Sequence, residues 1–302
     1  MRFYGRFLLW LLPILFILST TNLIAAQNTK QPPTGYTATL IKQAESGDAK
    51  AQFNLGLMYA TGQGISKDET EAARWYRKAA EQGNAGAQCD LGVAYANGAG
   101  VPKDEAEAAR WYRKAAEQGN ARAQYNLGLM YFNGEGVPKD EAEAIRWYRK
   151  AAEQGDQRAQ HNLGVAYAYG LGVPKNEAEA FRWHRKAAEQ GNAEGQYSLG
   201  LMYDTGRGVP RDEAEAARWY RKAAEQGNAL AHYNLGVAYS NGEGVPKDEV
   251  EAYFWMNLGA STLGEKARSA RDGVGEGLTP EKRLEVQERC REWLKTHPSM
   301  HD

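Results

Sequence analysis

Between residues 48 and 263 apolar and small residues recur in two alternating patterns, and both predict helices. In the first, Ala51, Leu55 and Tyr59 fall at i, i+4 and i+8, one stripe along a helix. In the second, Ala72, Trp75, Tyr76 and Ala79 form the stripe, and the Arg and Lys of ARWYRKAAEQG fall late in the helix, where cations suit the macrodipole. Asp48 and Asn84 stand where an N-cap belongs, each just after a Gly. Gly62 and Gly98 suit the left-handed residue that closes a helix. A Gly-x-Gly-Val-Pro-Lys loop follows in most copies; its Pro cannot continue a helix. Asp68 with Glu71, and Asp104 with Glu107, have the spacing of a capping box that opens the second helix.

The two patterns form one unit that repeats. Trp75, Trp111, Trp147, Trp183, Trp219 and Trp255 are spaced by 36 residues, and so are Gly56, Gly92, Gly128, Gly164, Gly200 and Gly236. Six helix pairs follow without insertion or deletion, at 48–83, 84–119, 120–155, 156–191, 192–227 and 228–263. One pair of 36 residues cannot bury its stripe alone, whereas stacked pairs can, so the fold is an all-α solenoid. At roughly 10 Å per stacked pair it spans about 60 Å before curvature. Glycine inside a helix costs about 1 kcal/mol relative to alanine. The mid-helix glycine is therefore expected to leave room for a bulky ring from the neighbouring pair. Residues 36–47 read as an N-terminal capping helix, with Leu40 and Ala44 in the columns of Tyr76 and Ala80. Residues 264–302 read as a C-terminal helical cap. Ala267 aligns there with Ala231, and a last helix over 281–295 turns Leu284, Cys290 and Leu294 inward.

The first 26 residues follow another pattern. Arg2 and Arg6 precede an apolar run from Phe7 to Leu18, then a polar stretch and Ala25-Ala26, the layout of a secretory signal peptide cleaved after Ala26. Twelve apolar residues span roughly 18 Å as a helix, short of the ~30 Å hydrocarbon core. The alternative is an uncleaved leader that anchors the chain in the inner membrane. Residues 27–35 read as a flexible leader segment. The destination is then the periplasm or the exterior. A net charge of −1 gives no overall pull toward nucleic acid or an anionic membrane. Two cysteines, Cys89 and Cys290, are too few for a disulfide framework, and about five stacked pairs separate them, so both are expected to be buried free thiols.

The segment AQYNLGLMYFNGEGVPKDEAEAIRWYRKAAEQG at 123–155 resembles the Sel-1-like repeat family of the tetratricopeptide superfamily, and the resemblance covers 48–263 in all six copies. The ending AYFWMNLGA…LTPEKRLEVQERCREW is similar to that of bacterial members. The resemblance implies a right-handed α/α superhelix and an adaptor role in macromolecular assembly, with envelope processes, signalling or host contact for exported members. The chain departs from the pattern at Ile65-Ser66, Gly195, His184 and Met256. Cysteine-rich members, for which penicillin binding or hydrolysis is proposed, carry a disulfide in each repeat; this chain lacks those cysteines.

The resemblance also implies that the first helix of each pair lines a concave face. Positions there are named by their residue in the first repeat. The groove columns are 50, 53, 57, 60 and 61, off the Ala51–Leu55–Tyr59 stripe, and there the copies differ most. The candidate partner-binding residues are Phe53, Arg122, Tyr125, Phe132, Arg158, His161, Tyr169, Tyr197, Asp204 and Tyr233, with Tyr125, Phe132, Tyr169 and Tyr197 as the central patch. An aromatic groove with arginines at its edge suits a peptide or a partner helix. The alternative is that the column-53 rings only pack against neighbouring first helices. Leu-Met and Val-Ala alternate at 57–58 and its equivalents, a 72-residue period that fits large side chains packed against small ones.

The sequence contains no HExxH, GxSxG, SxxK or CxxC, and the Gly-x-Gly loops follow no strand. His161, His184 and His232 stand one per copy without partner ligands nearby in sequence. The reading is an exported scaffold for a protein or peptide partner, not an enzyme, with no cofactor, no metal, no nucleic acid and no membrane contact except through an uncleaved leader. The alternatives are an enzyme acting on cell-wall or β-lactam substrates, or a membrane-tethered subunit of an envelope complex.

Overall fold

The computed structural model describes residues 35–297. The expected signal peptide and residues 27–34 of the expected leader lie outside the described residues; Gly35, the last residue assigned to that leader, opens helix α1 (Gly35–Glu45). Six helix pairs follow: α2 (Ala49–Thr61) with α3 (Glu69–Glu81), α4 (Ala85–Asn97) with α5 (Glu105–Glu117), and α6 (Ala121–Asn133) with α7 (Glu141–Glu153). Next come α8 (Gln157–Tyr169) with α9 (Glu177–Glu189), α10 (Ala193–Thr205) with α11 (Glu213–Glu225), and α12 (Ala229–Asn241) with α13 (Glu249–Leu263). Helices α14 (Glu265–Glu276) and α15 (Pro280–Thr296) close the chain. The described residues contain no strand, and the fold is an all-α solenoid.

The local signals act as read, with one change. Asp48 accepts a hydrogen bond from the Ala51 amide at 2.6 Å, and the same cap recurs at Asn84, Asn120, Asp156, Asn192 and Asn228. First helices stop at left-handed glycines, beginning with Gly62 at φ 74°. At the second helix only half of the capping box closes. Asp68 Oδ1 accepts from the Thr70 and Glu71 amides, but the Asp68 amide donates to the Tyr59 carbonyl at 2.9 Å. The same bond joins Asp140 to Tyr131 at 2.8 Å. The loop thus folds the cap residue back onto the end of the first helix, which takes the donor that the Glu would have met. The released glutamates bond elsewhere: Glu71 pairs with Arg74, and Glu143 accepts from Trp147 Nε1 at 2.8 Å.

The mid-helix glycines do mark a close approach, but the ring comes from the second helix of the same repeat and not from the neighbouring pair. A Cβ on Gly56 would meet Tyr76, on Gly92 Tyr112, on Gly164 His184, and on Gly200 Tyr220, all within 2.6–2.8 Å. These glycines therefore close each repeat upon itself. Repeats join to each other through different groups. Loop glycines Gly100, Gly136, Gly172, Gly208 and Gly244 sit against the backbone of Glu69, Glu105, Glu141, Glu177 and Glu213, the first residue of each preceding second helix. A buried glutamine forms the second joint. Gln88 Nε2 donates to the Ala80 carbonyl of the preceding repeat at 3.0 Å, while its Oε1 accepts from Gln118 Nε2 at 2.7 Å. The arrangement recurs at Gln52, Gln124, Gln160 and Gln196. A buried amide must be satisfied, so each glutamine fixes the seating of three helices.

In the last repeat His232 replaces this glutamine. It stacks on Trp255 with ring centroids 5.7 Å apart and meets Trp293 of α15 edge-on at 5.5 Å, which ends the ladder at the cap. Leu40, Ala44 and Ala267 are buried. On α15 the inward stripe runs through Val286 and Cys290, with Leu294 half-buried, whereas Leu284 is 55% exposed. Of the expected stripe Cys290 and Leu294 face inward, and Val286 stands where Leu284 was expected.

Candidate partner-binding face

The first-helix columns form a row of side chains across successive repeats. Four column-53 rings lean on the column-76 ring of their own repeat: Phe53 on Tyr76 at 6.1 Å between centroids, Tyr125 on Tyr148 at 5.9 Å, His161 on His184 at 5.2 Å and Tyr197 on Tyr220 at 5.9 Å. The rings therefore pack against their own second helix, two of them also meet the first helix of the following repeat, and all four stay half-buried. In three repeats the column-53 residue is met by the column-50 residue of the following repeat. A Cβ on Gly86 would stand 3.0 Å from Phe53 Cζ, Arg122 Nε donates to Cys89 Sγ at 3.1 Å, and the Arg158 guanidinium lies 4.3 Å above the Tyr125 ring.

Two groups of expected residues come together. Arg122 and Arg158 act on Cys89, whose thiol burial pushes upward while the two guanidiniums pull it back, and Arg158 links this group to Tyr125. Arg122 also pairs with Asp90, and Arg158 with Asp156 at 2.8 Å. Tyr169, Tyr197 and Asp204 make the second group. Burial raises the Tyr197 hydroxyl to about 12, and Tyr169 and Asp204 add to the shift. Asp204 accepts from the Tyr220 hydroxyl at 3.5 Å. Phe132 is half-buried in the apolar cluster of repeats 3 and 4, with Lys139 Nζ 5.7 Å from its ring centroid. Phe53 and Tyr233 bracket the row in the first and last repeats; both are half-buried, and burial raises the Tyr233 hydroxyl. Three large apolar side chains of the described residues are exposed: Tyr169 at 48%, Leu230 at 45% and Leu284. The first two lie on this face.

Repeat 4 carries two imidazoles where repeats 3 and 5 carry two phenols. Burial lowers His161 to about 4 and holds His184 well below the usual histidine range, and the Nδ1 atoms of both are enclosed. Both rings are neutral at pH 7. Cys89 and Cys290 are buried free thiols. Among the described residues no group of three or more His, Cys, Asp or Glu side chains is placed to hold a metal ion, and no helix is long and apolar enough to cross a membrane.

The sequence reading passed over three features. Asn162 at column 54 hydrogen-bonds the hydroxyls of both Tyr125 and Tyr148, and Asn234 those of Tyr197 and Tyr220. Asp90 is the one acid in that column, and it takes Arg122. Leu230 is the one large apolar residue in a column of charged and small ones. For Asp90 and Leu230 the signal was the odd residue within its column.

The Sel1 repeat profile matches six times, at residues 49–84, 85–120, 121–156, 157–192, 193–228 and 229–261. Among solved structures, the chain is similar to c5321, a protective antigen present in uropathogenic Escherichia coli strains that displays an SLR fold. Identity is 42% and the TM-score 0.76, over 84% of this chain and 56% of that one. The chain thus spans little more than half the length of that relative. It is also similar to a Sel1 repeat protein from Oxalobacter formigenes, at 34% identity and a TM-score of 0.66, over 76% of this chain and 98% of that one. No curated protein matches the chain.

Proposed function

The chain belongs to the Sel1 repeat family, whose members are generally protein–protein interaction scaffolds, and on that premise we propose that it is an exported scaffold that docks a protein partner on its first-helix face. The observation that carries the docking surface is the exposure of Tyr169 and Leu230 there, where Leu284 is the one other exposed large apolar side chain among the described residues. The second-helix face has a different character. In the first five repeats its tryptophans are covered by cations of their own helix, as Lys150 covers Trp147 at 4.4 Å and Lys114 covers Trp111 at 4.2 Å. The rings that a partner could use there are already occupied. The first-helix face instead leaves aromatic edges and two guanidiniums toward solvent, the residue types that dominate binding energy at interfaces.

Export rests on the basic start, the Phe7–Leu18 run and Ala25-Ala26. A similar protein described as a protective antigen is in keeping with a place where an immune system meets it. A photo-crosslinking amino acid in place of Tyr169, in cells that make the protein, tests the docking face. Adducts from position 169 and none from Arg146 on the second-helix face are expected; equal adducts from both, or none from 169, would contradict it. Mass spectrometry of the exported protein should find Gln27 as the first residue, and an intact leader would contradict cleavage.

A further inference from the structure

The first-helix face changes character along the solenoid. From repeat 3 to repeat 6 column 50 reads Arg122, Arg158, Glu194 and Leu230. Both arginines carry an ion pair, yet in each pair the charges are layered by depth. The Arg122 side chain is 48% exposed over Asp90 at 13%, and Arg158 is 47% exposed over Asp156 at 10%. The carboxylates lie inboard, and Asp156 is further engaged in capping α8 through the Arg158 and Ala159 amides. Solvent therefore meets the guanidinium side of both pairs. A guanidinium has five N–H donors in a rigid fork. Arg122 spends Nε on Cys89 and Nη2 on Asp90, and Arg158 spends Nε and Nη2 on Asp156, so the Nη1 end of each enters none of these bonds. Stacking on Tyr125 holds the Arg158 plane in place, so little side-chain entropy is lost when a carboxylate arrives.

Farther along, the face becomes apolar. Tyr169 and Leu230 are exposed, and Leu230 holds in repeat 6 the column that Arg158 holds in repeat 4. We infer that this face takes an acidic–apolar segment of a partner protein, with carboxylates over Arg122 and Arg158 and apolar side chains over Tyr169 and Leu230. The inference rests on the first-helix face being the docking face. Arg122 and Leu230 are three repeats apart, about 30 Å at roughly 10 Å per stacked pair, a span that about nine extended residues cover. Charge-assisted bonds to the guanidiniums fix which end of the segment lies where, and the apolar half supplies buried area. A polyanion fits less well, because it needs cations to continue where Glu194 and Leu230 stand.

The test is selection of a displayed library of random 12-residue peptides on the whole protein. The same selection is run on Arg122→Glu/Arg158→Glu, on Arg122→Gln/Arg158→Gln and on Leu230→Ser. The glutamine pair keeps donors toward Asp90 and Asp156 and preserves the readout if charge reversal unfolds the chain. The parent should enrich peptides with Asp or Glu at one end and Phe, Leu or Tyr at the other. Loss of both charges should cut retention of those peptides at least tenfold at an unchanged melting temperature, and Leu230→Ser should erase the apolar preference. Enriched peptides without an acidic bias, or a bias that survives the arginine variants, would overturn the inference and leave the docking face standing. No enrichment at all would count against the docking face, and the inference would fall with it. Retention on heparin that depends on the two arginines, without acidic peptides, would put an acidic polysaccharide there and overturn it as well.

Discussion

The ring of Tyr148 covers Gly128 so closely that a Cβ on the glycine would stand 2.7 Å from Tyr148 Cδ1 and Cε1, with the Ala144 carbonyl at 3.2 Å. One glycine and one ring thus set the distance between α6 and α7, and the relationship recurs through the solenoid with Tyr76, Tyr112, His184 and Tyr220 as the ring. In the last repeat Met256 takes the place of the ring against Gly236.

Gly128→Ala should therefore destabilise the protein although alanine is the better helix former. The gain in propensity is about 1 kcal/mol, and overpacking a tight contact costs about 1–3 kcal/mol. Here two ring atoms and a backbone carbonyl must move together, so the cost exceeds the gain. Thermal melting should show a midpoint a few degrees below the parent, and Gly128→Val a larger drop. In a Tyr148→Leu background the alanine should cost less, and equal cost in both backgrounds would show that the ring is not the obstacle.

Gln124→Leu should cost about 1–3 kcal/mol, because it removes two hydrogen bonds between helices, one to the Ala116 carbonyl and one from the Gln154 amide. Glu153→Leu, on an exposed site of the same repeat, should lie within about 0.5 kcal/mol of the parent. Urea unfolding compares the two, and equal losses would mean that the glutamine ladder does not hold the repeats together.

The helix pairs were legible because each boundary carries its own chemistry: a capping Asp or Asn, a left-handed Gly, a Pro. The Gly56 and Tyr76 columns were legible as a tight contact, but not which pair supplied the ring, since both neighbours have a Tyr in that column. Gln88 and its equivalents read as ordinary polar positions, because sequence does not distinguish an amide that faces solvent from one that faces a buried carbonyl. Leu284 was misplaced because α15 packs mainly on α13, with Trp293 reaching His232 of α12, and so has only a narrow inward stripe. On the candidate face, Arg158 could be assigned to an edge, but its seat on Tyr125 depends on the offset between consecutive first helices, which no single repeat encodes.

Stability should fall in mild acid through repeat 4 and the C-terminal cap. His161 and His232 lie near 4 in the folded chain and His184 is also lowered, against about 6.5 when unfolded. The unfolded chain therefore binds more protons below about 6.5. The stability these neutral rings allow is complete above that pH and is lost as pH falls toward 4, by about 1.4 kcal/mol per pH unit for each such histidine. His161→Tyr/His184→Tyr/Ser198→Asn rebuilds the tyrosine pair of repeat 3 together with the asparagine that the following repeat supplies to it. Urea midpoints from pH 7.5 to 4.5 should fall less steeply in this variant, and parallel profiles would contradict the assignment.

Both thiols should resist a disulfide reagent in the folded protein and react under denaturation. Burial raises Cys89 and pushes Cys290 up to about 11, so little thiolate is present at pH 8. Two free thiols per chain in guanidinium and none without it are expected; a thiol that reacts at once in the native state would contradict the burial.

Tyr169→Ser/Leu230→Ser tests the docking face most directly, since both side chains are exposed and their loss should leave the melting temperature within about a degree of the parent. Amine cross-linking in cells, resolved on a denaturing gel, should show the higher-mass adducts of the parent and of Arg146→Ser/Lys150→Ser, and lose them in the Tyr169→Ser/Leu230→Ser chain. Adducts that persist in that chain, or vanish in the second-helix control instead, would contradict the first-helix face as the place where a partner docks.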